Sequence, residues 1–116
     1  MTGARNARSK GSIRPLFNAR AETVHRLPSF QQLFRERRCL IPTSGFYEWR
    51  KAESGGRTPI WFHNQDDATV AFAGIWSAER TDEGDIDACA VITCAANELV
   101  APVHHMMPVI LPPKIY

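Results

Sequence analysis

The chain has 116 residues, 44% of them hydrophobic and 22% charged, with a formal net charge of +2. That composition fits one small globular domain and excludes a disordered or multidomain chain, and no run approaches the ~18 apolar residues of a membrane span or the apolar core of a secretory signal. The net charge conceals a split, because residues 1–38 hold nine Arg/Lys against two Glu while residues 39–116 hold five Arg/Lys against ten Asp/Glu.

A cytoplasmic protein without a membrane partner is therefore expected, with its basic start serving either as a phosphate-facing surface or as a solvated arm. Residues 1–17 mix Gly, Ser, Arg and Pro without periodicity and read as loop, mobile over residues 1–11. Asn18, Arg20 and Glu22 then occupy alternate positions. On an extended segment they would point the same way, suited either to holding a phosphate or sugar oxygen or to clamping a loop. Ser29 and Gln32 form a capping-box pattern ahead of Phe30, Leu33 and Phe34, which predicts a helix running to about Arg38.

Beyond the helix the period becomes that of strands. Cys39-Leu40-Ile41 precedes a Pro42-Thr43-Ser44-Gly45 turn, and Phe46-Tyr47-Glu48-Trp49 alternates so that Phe46 and Glu48 share one face and Tyr47 and Trp49 the other. Gly55-Gly56 connects this strand to one over residues 59–63, and the Gln65-Asp66-Asp67 turn leads to another over residues 69–76. Residues 77–87 read as a surface loop and residues 88–93 as a buried strand. Asn97 can cap a short helix ahead of an apolar, proline-punctuated tail. The sum is an α+β domain dominated by an antiparallel meander. Cys39, Cys89 and Cys94 are odd in number and lack metal-site spacing, so neither a disulfide nor a zinc framework is expected, and each reads as a small buried hydrophobe.

Polar groups inside apolar segments cost several kcal/mol unless paired, so they mark candidate chemistry. Glu48, held on a stiff strand beside aromatic rings, is suited to general acid or base work, the alternative being an exposed edge-strand carboxylate. His104, followed by His105, stands at the entry to the apolar run 106–111. It could move protons near neutral pH or be a histidine satisfied by a backbone carbonyl, the role expected of His25 and His63.

Five strings in one order sharpen this reading: Asn18-Ala-Arg-Ala-Glu-Thr23, Arg37-Arg-Cys-Leu-Ile-Pro42, Gly45-Phe-Tyr-Glu-Trp49, Ala73-Gly-Ile-Trp76 and His104-His-Met-Met-Pro-Val-Ile-Leu111. Together they closely resemble the SOS response-associated peptidase (SRAP) family over about residues 12–114. The resemblance implies a partly barrel-like sheet and a nucleoid-associated DNA-damage-response protein that binds single-stranded DNA and captures abasic sites. Capture there joins an N-terminal cysteine to the ring-opened deoxyribose as a thiazolidine, without a cofactor or metal, and the same cysteine performs autoproteolysis.

Carried over position by position, Asn18 resembles the residue that bonds the opened sugar, and Arg20 a phosphate contact with Glu22 as its partner. Glu48 resembles the proton-exchanging glutamate and His104 the histidine that promotes ring opening, with His105 in support. Arg37, Arg38 and Trp49 are placed toward DNA. Two departures from the family pattern stand out: its cysteine lies at the very N-terminus, ahead of a segment that this chain begins after, and position 2 here is Thr2; and Met106 stands where the family has arginine. The expectation is a partial SRAP domain, unable to form the thiazolidine as numbered and prone to self-association through exposed edges. A non-covalent single-stranded DNA-binding module and a vestigial domain are the competing readings.

Overall fold

A computed structural model describes residues 18–116, so the loop expected over residues 1–17 lies outside the described residues. Strands dominate: β1 (Asn18–Arg20), β2 (Arg38–Thr43), β3 (Phe46–Lys51), β4 (Arg57–Phe62), β5 (Val70–Thr81), β6 (Gly84–Ala95), β7 (Met106–Pro108) and β8 (Ile110–Leu111). Among the described residues the one α-helix is α1 (Gln31–Glu36), and a 3-10 turn spans Pro113–Ile115. This is the expected α+β, mostly antiparallel class, with the main sheet curled into a half-barrel.

The topology is not a simple meander. The main sheet runs β1–β6–β5–β2, with β7 added beside β6 and β8 beside β5, while β3 and β4 pair only with each other. β1 lies parallel to β6, with Asn18 opposite Val91, and the remaining pairings are antiparallel. β2 reaches past its sequence neighbours to pair with β5, Arg38 opposite Ile75 and Thr43 opposite Val70. Being outermost in the strand order, it also accommodates Pro42, whose missing N–H would break an interior ladder. The expected four-residue turn therefore shrinks to Ser44-Gly45, where Thr43 Oγ1 bonds the Gly45 carbonyl at 2.7 Å and its amide at 3.2 Å. Here the chain leaves the main sheet. Gly45 is demanded by close approach, since a Cβ there would run into the Phe62 carbonyl and lie 2.7 Å from the Trp61 ring.

Two apolar clusters hold the elements. Ala19, Val24, Phe30, Ile75, Ala90 and Ile92 are buried together, with Leu33 and Phe34 of α1 packed against them. Phe62, Val100 and Met107 form the second, joined by Phe46, Ile60 and Val103. Phe46 stacks on Phe62 at 5.2 Å and meets Phe72 edge-on at 5.8 Å, which seats the β3–β4 hairpin against the main sheet.

Three expectations are corrected. α1 is shorter than its pattern, beginning at Gln31 with Phe30 at the N-cap and no side-chain cap, so the Ser29/Gln32 capping box does not form. The Gln31 amide instead donates to the Leu27 carbonyl at 2.8 Å, as part of a run of turns that leads into the helix and supplies the acceptor Ser29 would have offered. Residues 77–87 are not a loop: β5 and β6 continue as a ladder to Thr81 opposite Gly84, closed by the two-residue turn Asp82-Glu83, after which Gly84 takes φ +117°. Backbone pairing sustains this polar ribbon, helped at its tip by Thr81 Oγ1, which donates to the Gly84 carbonyl and accepts from the Glu83 amide. Cys89 lies on the ribbon and is exposed, while Cys39 and Cys94 are half-buried.

Candidate active site

β3 presents Phe46 and Glu48 inward and Tyr47 and Trp49 outward, as the alternation predicts. Glu48 faces Ile60 across the hairpin, and Oε2 lies 4.0 Å from Nδ1 of His104, with side-chain exposures of 24% and 40% respectively. Two residues that stand 56 positions apart in sequence thus meet at the mouth of the second core.

The segment carrying His104 is fixed from both ends. Asn97 caps a turn rather than the expected short helix, its Oδ1 accepting from the Leu99 and Val100 amides at 3.1 and 3.0 Å. Val100 is 1% exposed and anchors the turn in the core, and its carbonyl accepts from the His104 amide at 3.0 Å. The imidazole is then held at Nδ1, 3.0 Å from the Met106 carbonyl and 3.1 Å from the Met106 amide. With a proton on Nδ1 the ring donates to that carbonyl; without one it accepts from the amide. The Met106 backbone thus offers Nδ1 a partner in either tautomer. His105 stacks on the ring at 4.7 Å. At 4.0 Å Glu48 and His104 form a charge pair when the imidazole is protonated, but lie beyond hydrogen-bond length. At this separation any proton exchange between them requires a bridging oxygen.

The other candidate residues divide. Asn18 and Arg20 flank buried Ala19 on β1 and are exposed on the same side of the strand. The extended segment ends there, since the Val24 amide turns back to the Arg20 carbonyl at 2.9 Å. Glu22 nevertheless reaches Arg20, its Oε1 accepting from Nε at 3.5 Å, an exposed pair that contributes at most about 1 kcal/mol. Arg37 lies over the Trp76 ring at 4.5 Å and Arg38 over the Phe34 ring at 5.7 Å. Arg38 also borders a shallow basin of about 300 Å³ with His25, Gln31 and Arg35. No hydrogen bond or ion pair among the described residues joins these arginines to Glu48 or His104. Trp49 stands outward, 6.2 Å from Tyr47. Among the described residues no group of three or more His, Cys, Asp or Glu could hold a metal ion, and no helix is long and apolar enough to cross a membrane.

Sequence reasoning missed the continuation of that outer row. Trp61 lies 4.8 Å from Tyr47, and His63 stacks on Trp61 at 6.2 Å and 18°. The pairing register that joins these rings depends on the length of the turn around Gly55-Gly56, and the alternation within each strand was the only signal available. Burial and then nearby Cys89 push the Cys39 thiol up from its ordinary value, and burial and then Glu22 do so for Cys94.

The fold is thus a half-barrel sheet with a packed hairpin, which brings a strand carboxylate and a loop imidazole together at the rim of the second core. The sequence model of the SOS response associated peptidase (SRAP) family matches residues 4–116, and the chain belongs to that family. It is 38% identical over 97 residues to the abasic site processing protein YoqW of Bacillus subtilis, covering 83% of this chain and 43% of YoqW. The abasic site processing protein YedK of Escherichia coli is 30% identical over 102 residues, covering 86% of this chain and 45% of YedK. A crystal structure of a Bacteroides thetaiotaomicron protein superposes with a TM-score of 0.76 at 30% identity, over 84% of this chain and 44% of that one. The chain thus spans less than half the length of these relatives.

Proposed function

We propose that this chain carries the proton-exchange half of an abasic-site processing centre acting on single-stranded DNA. The observation that supports it is the Glu48–His104 pair, 4.0 Å apart, within the residues that the family model matches. An abasic site in its open form presents an aldehyde and a free sugar hydroxyl. Attack by an amine on that aldehyde requires a base for the ammonium, an acid for the carbinolamine oxygen that leaves as water, and a donor to the sugar oxygen. Glu48 serves the first two steps, His104 assists ring opening, and Asn18 and Arg20 bind sugar and phosphate. In the family's capture reaction a neighbouring thiol then closes the thiazolidine. Cys39, Cys89 and Cys94 lie within strands β2 and β6 and have no free α-amine, so none of them is that aminothiol. The autoproteolysis implied by the family description draws on the same group.

The test is a labelled single strand with one abasic site, compared with an intact strand of the same sequence by binding and by denaturing electrophoresis. The expected result is preference for, or a product from, the abasic strand alone, reduced about 100-fold or more by Glu48→Gln and by His104→Ala. Equal treatment of the two strands by the unaltered chain overturns the reading.

A further inference from the structure

Glu48 and His104 are held by chain of different kinds. Glu48 stands on β3, where every residue from Phe46 to Lys51 has a partner on β4. His104 stands between β6 and β7, on irregular chain with no ladder of its own to fix it. The 4.0 Å separation of the two side chains therefore depends on what holds that segment. Its ends are closed by the pairing of Ala95 with Met106 and by the Ala96 amide, which donates to the His105 carbonyl at 3.0 Å. Between these ends one residue makes the inner attachments.

Asn97 is bonded through both its backbone and its side chain. Its amide donates to Sδ of Met107 at 3.3 Å, and Met107 is buried within the second core. Its Oδ1 accepts from the Leu99 and Val100 amides. The Val100 carbonyl in turn accepts from the Val103 amide at 2.8 Å and from the His104 amide at 3.0 Å. Asn97 and His104 are thus linked through a single residue, Val100, whose side chain is 1% exposed and close-packed. The residue that ties the cap to the core also ties it to the imidazole.

We propose that Asn97 is a positioning residue for His104, with Met107 as its anchor in the core. Neither side chain bonds the imidazole, whose Nδ1 is held by the Met106 backbone. Loss of Oδ1 frees the Leu99 and Val100 amides, Val100 shifts, and the His104 backbone follows, which changes the reach of the ring toward Glu48. A displacement of about 1 Å costs up to ~100-fold where reacting groups must be aligned. The positioning itself stands on geometry; its consequence for chemistry rests on the proton-exchange reading of the Glu48–His104 pair.

The experiment records imidazole proton–nitrogen NMR correlations of the full chain, assigned with His104→Ala, which report the ring without requiring activity. Asn97→Ala is expected to shift the signals of His104 and of His105 stacked on it, leaving His25 and His63 in place. Asn97→Asp, which keeps the side-chain acceptor, is expected to return them. Met107→Leu conserves volume and removes only the sulfur, so it is expected to move the same signals by less, and it is read in place of Asn97→Ala should that variant not fold. On a single strand with one abasic site, Asn97→Ala is expected to lower kcat about tenfold with KM within about twofold, since Asn97 bonds this chain's backbone and not the strand. Unmoved His104 signals in Asn97→Ala, or in Met107→Leu where the first variant does not fold, overturn the proposal. Failure of Asn97→Asp to restore them overturns it as well, as does equal movement of His25 and His63. Failure of the unaltered chain on the abasic strand overturns the proton-exchange reading and leaves the imidazole result standing.

Discussion

The inner and outer faces of the β3–β4 hairpin are drawn from the same two strands and nearly the same residue types, yet they have opposite fates. Inward, Phe46 and Phe62 stack within the second core and hold Glu48 beside His104. Outward, one residue along, Tyr47, Trp49 and Trp61 stand in solvent. The difference is set by the pleat and by what lies opposite, since only the inner face meets Phe72 of the main sheet. An aromatic ring in a strand is thus either packing or contact surface according to parity, and a carboxylate of the same parity as the core acquires a half-dry, positioned environment.

The largest stability effect expected from this contrast is at Phe62. Phe62→Ala should lower unfolding free energy by about 3–5 kcal/mol in a urea titration, while Tyr47→Ala on the outer face should cost no more than about 1 kcal/mol. Comparable losses at both positions would show that the outer row is also packed. Gly45→Ala comes next, with about 1–3 kcal/mol expected from the collision with the Phe62 carbonyl and the Trp61 ring. Because that collision displaces the ring, Trp fluorescence should shift as well, linking the two faces.

The smallest effect concerns the thiols and contrasts the exposed ribbon with the buried half of the sheet. Cys39 and Cys94 have pKa values raised above the ordinary 9.0, so at a given pH each carries less thiolate than an unperturbed cysteine. Exposed Cys89 should be alkylated first, with the lag of the other two narrowing as pH rises, as read by peptide mass mapping. The sign for stability is the same at both half-buried thiols. The folded state keeps a proton that the unfolded chain releases, so their contribution is full below pH 9 and declines as pH rises past it.

Much of this was legible in the residue pattern. The parity of Phe46-Tyr47-Glu48-Trp49 and the capping role of Asn97, though on a turn and not a helix, follow from spacings of one to three residues, while the Arg20–Glu22 partnership is what the family resemblance implies. The capping box at Ser29 failed because a local cap competes with whatever carbonyl the preceding chain supplies, here that of Leu27. The ribbon over residues 77–87 was hidden because polar composition reports exposure, not hydrogen bonding.

The sequence by itself determined which face each residue of a strand would share, that strands would dominate, and which five motifs tie the chain to its family. Only the tertiary structure decided that β2 pairs with β5 rather than with β3, that Glu48 and His104 meet, and that Trp61 completes a row begun by Trp49. Local periodicity is encoded over a few bonds, whereas these contacts depend on how two sheets and two apolar clusters close upon each other, a choice distributed over the whole chain.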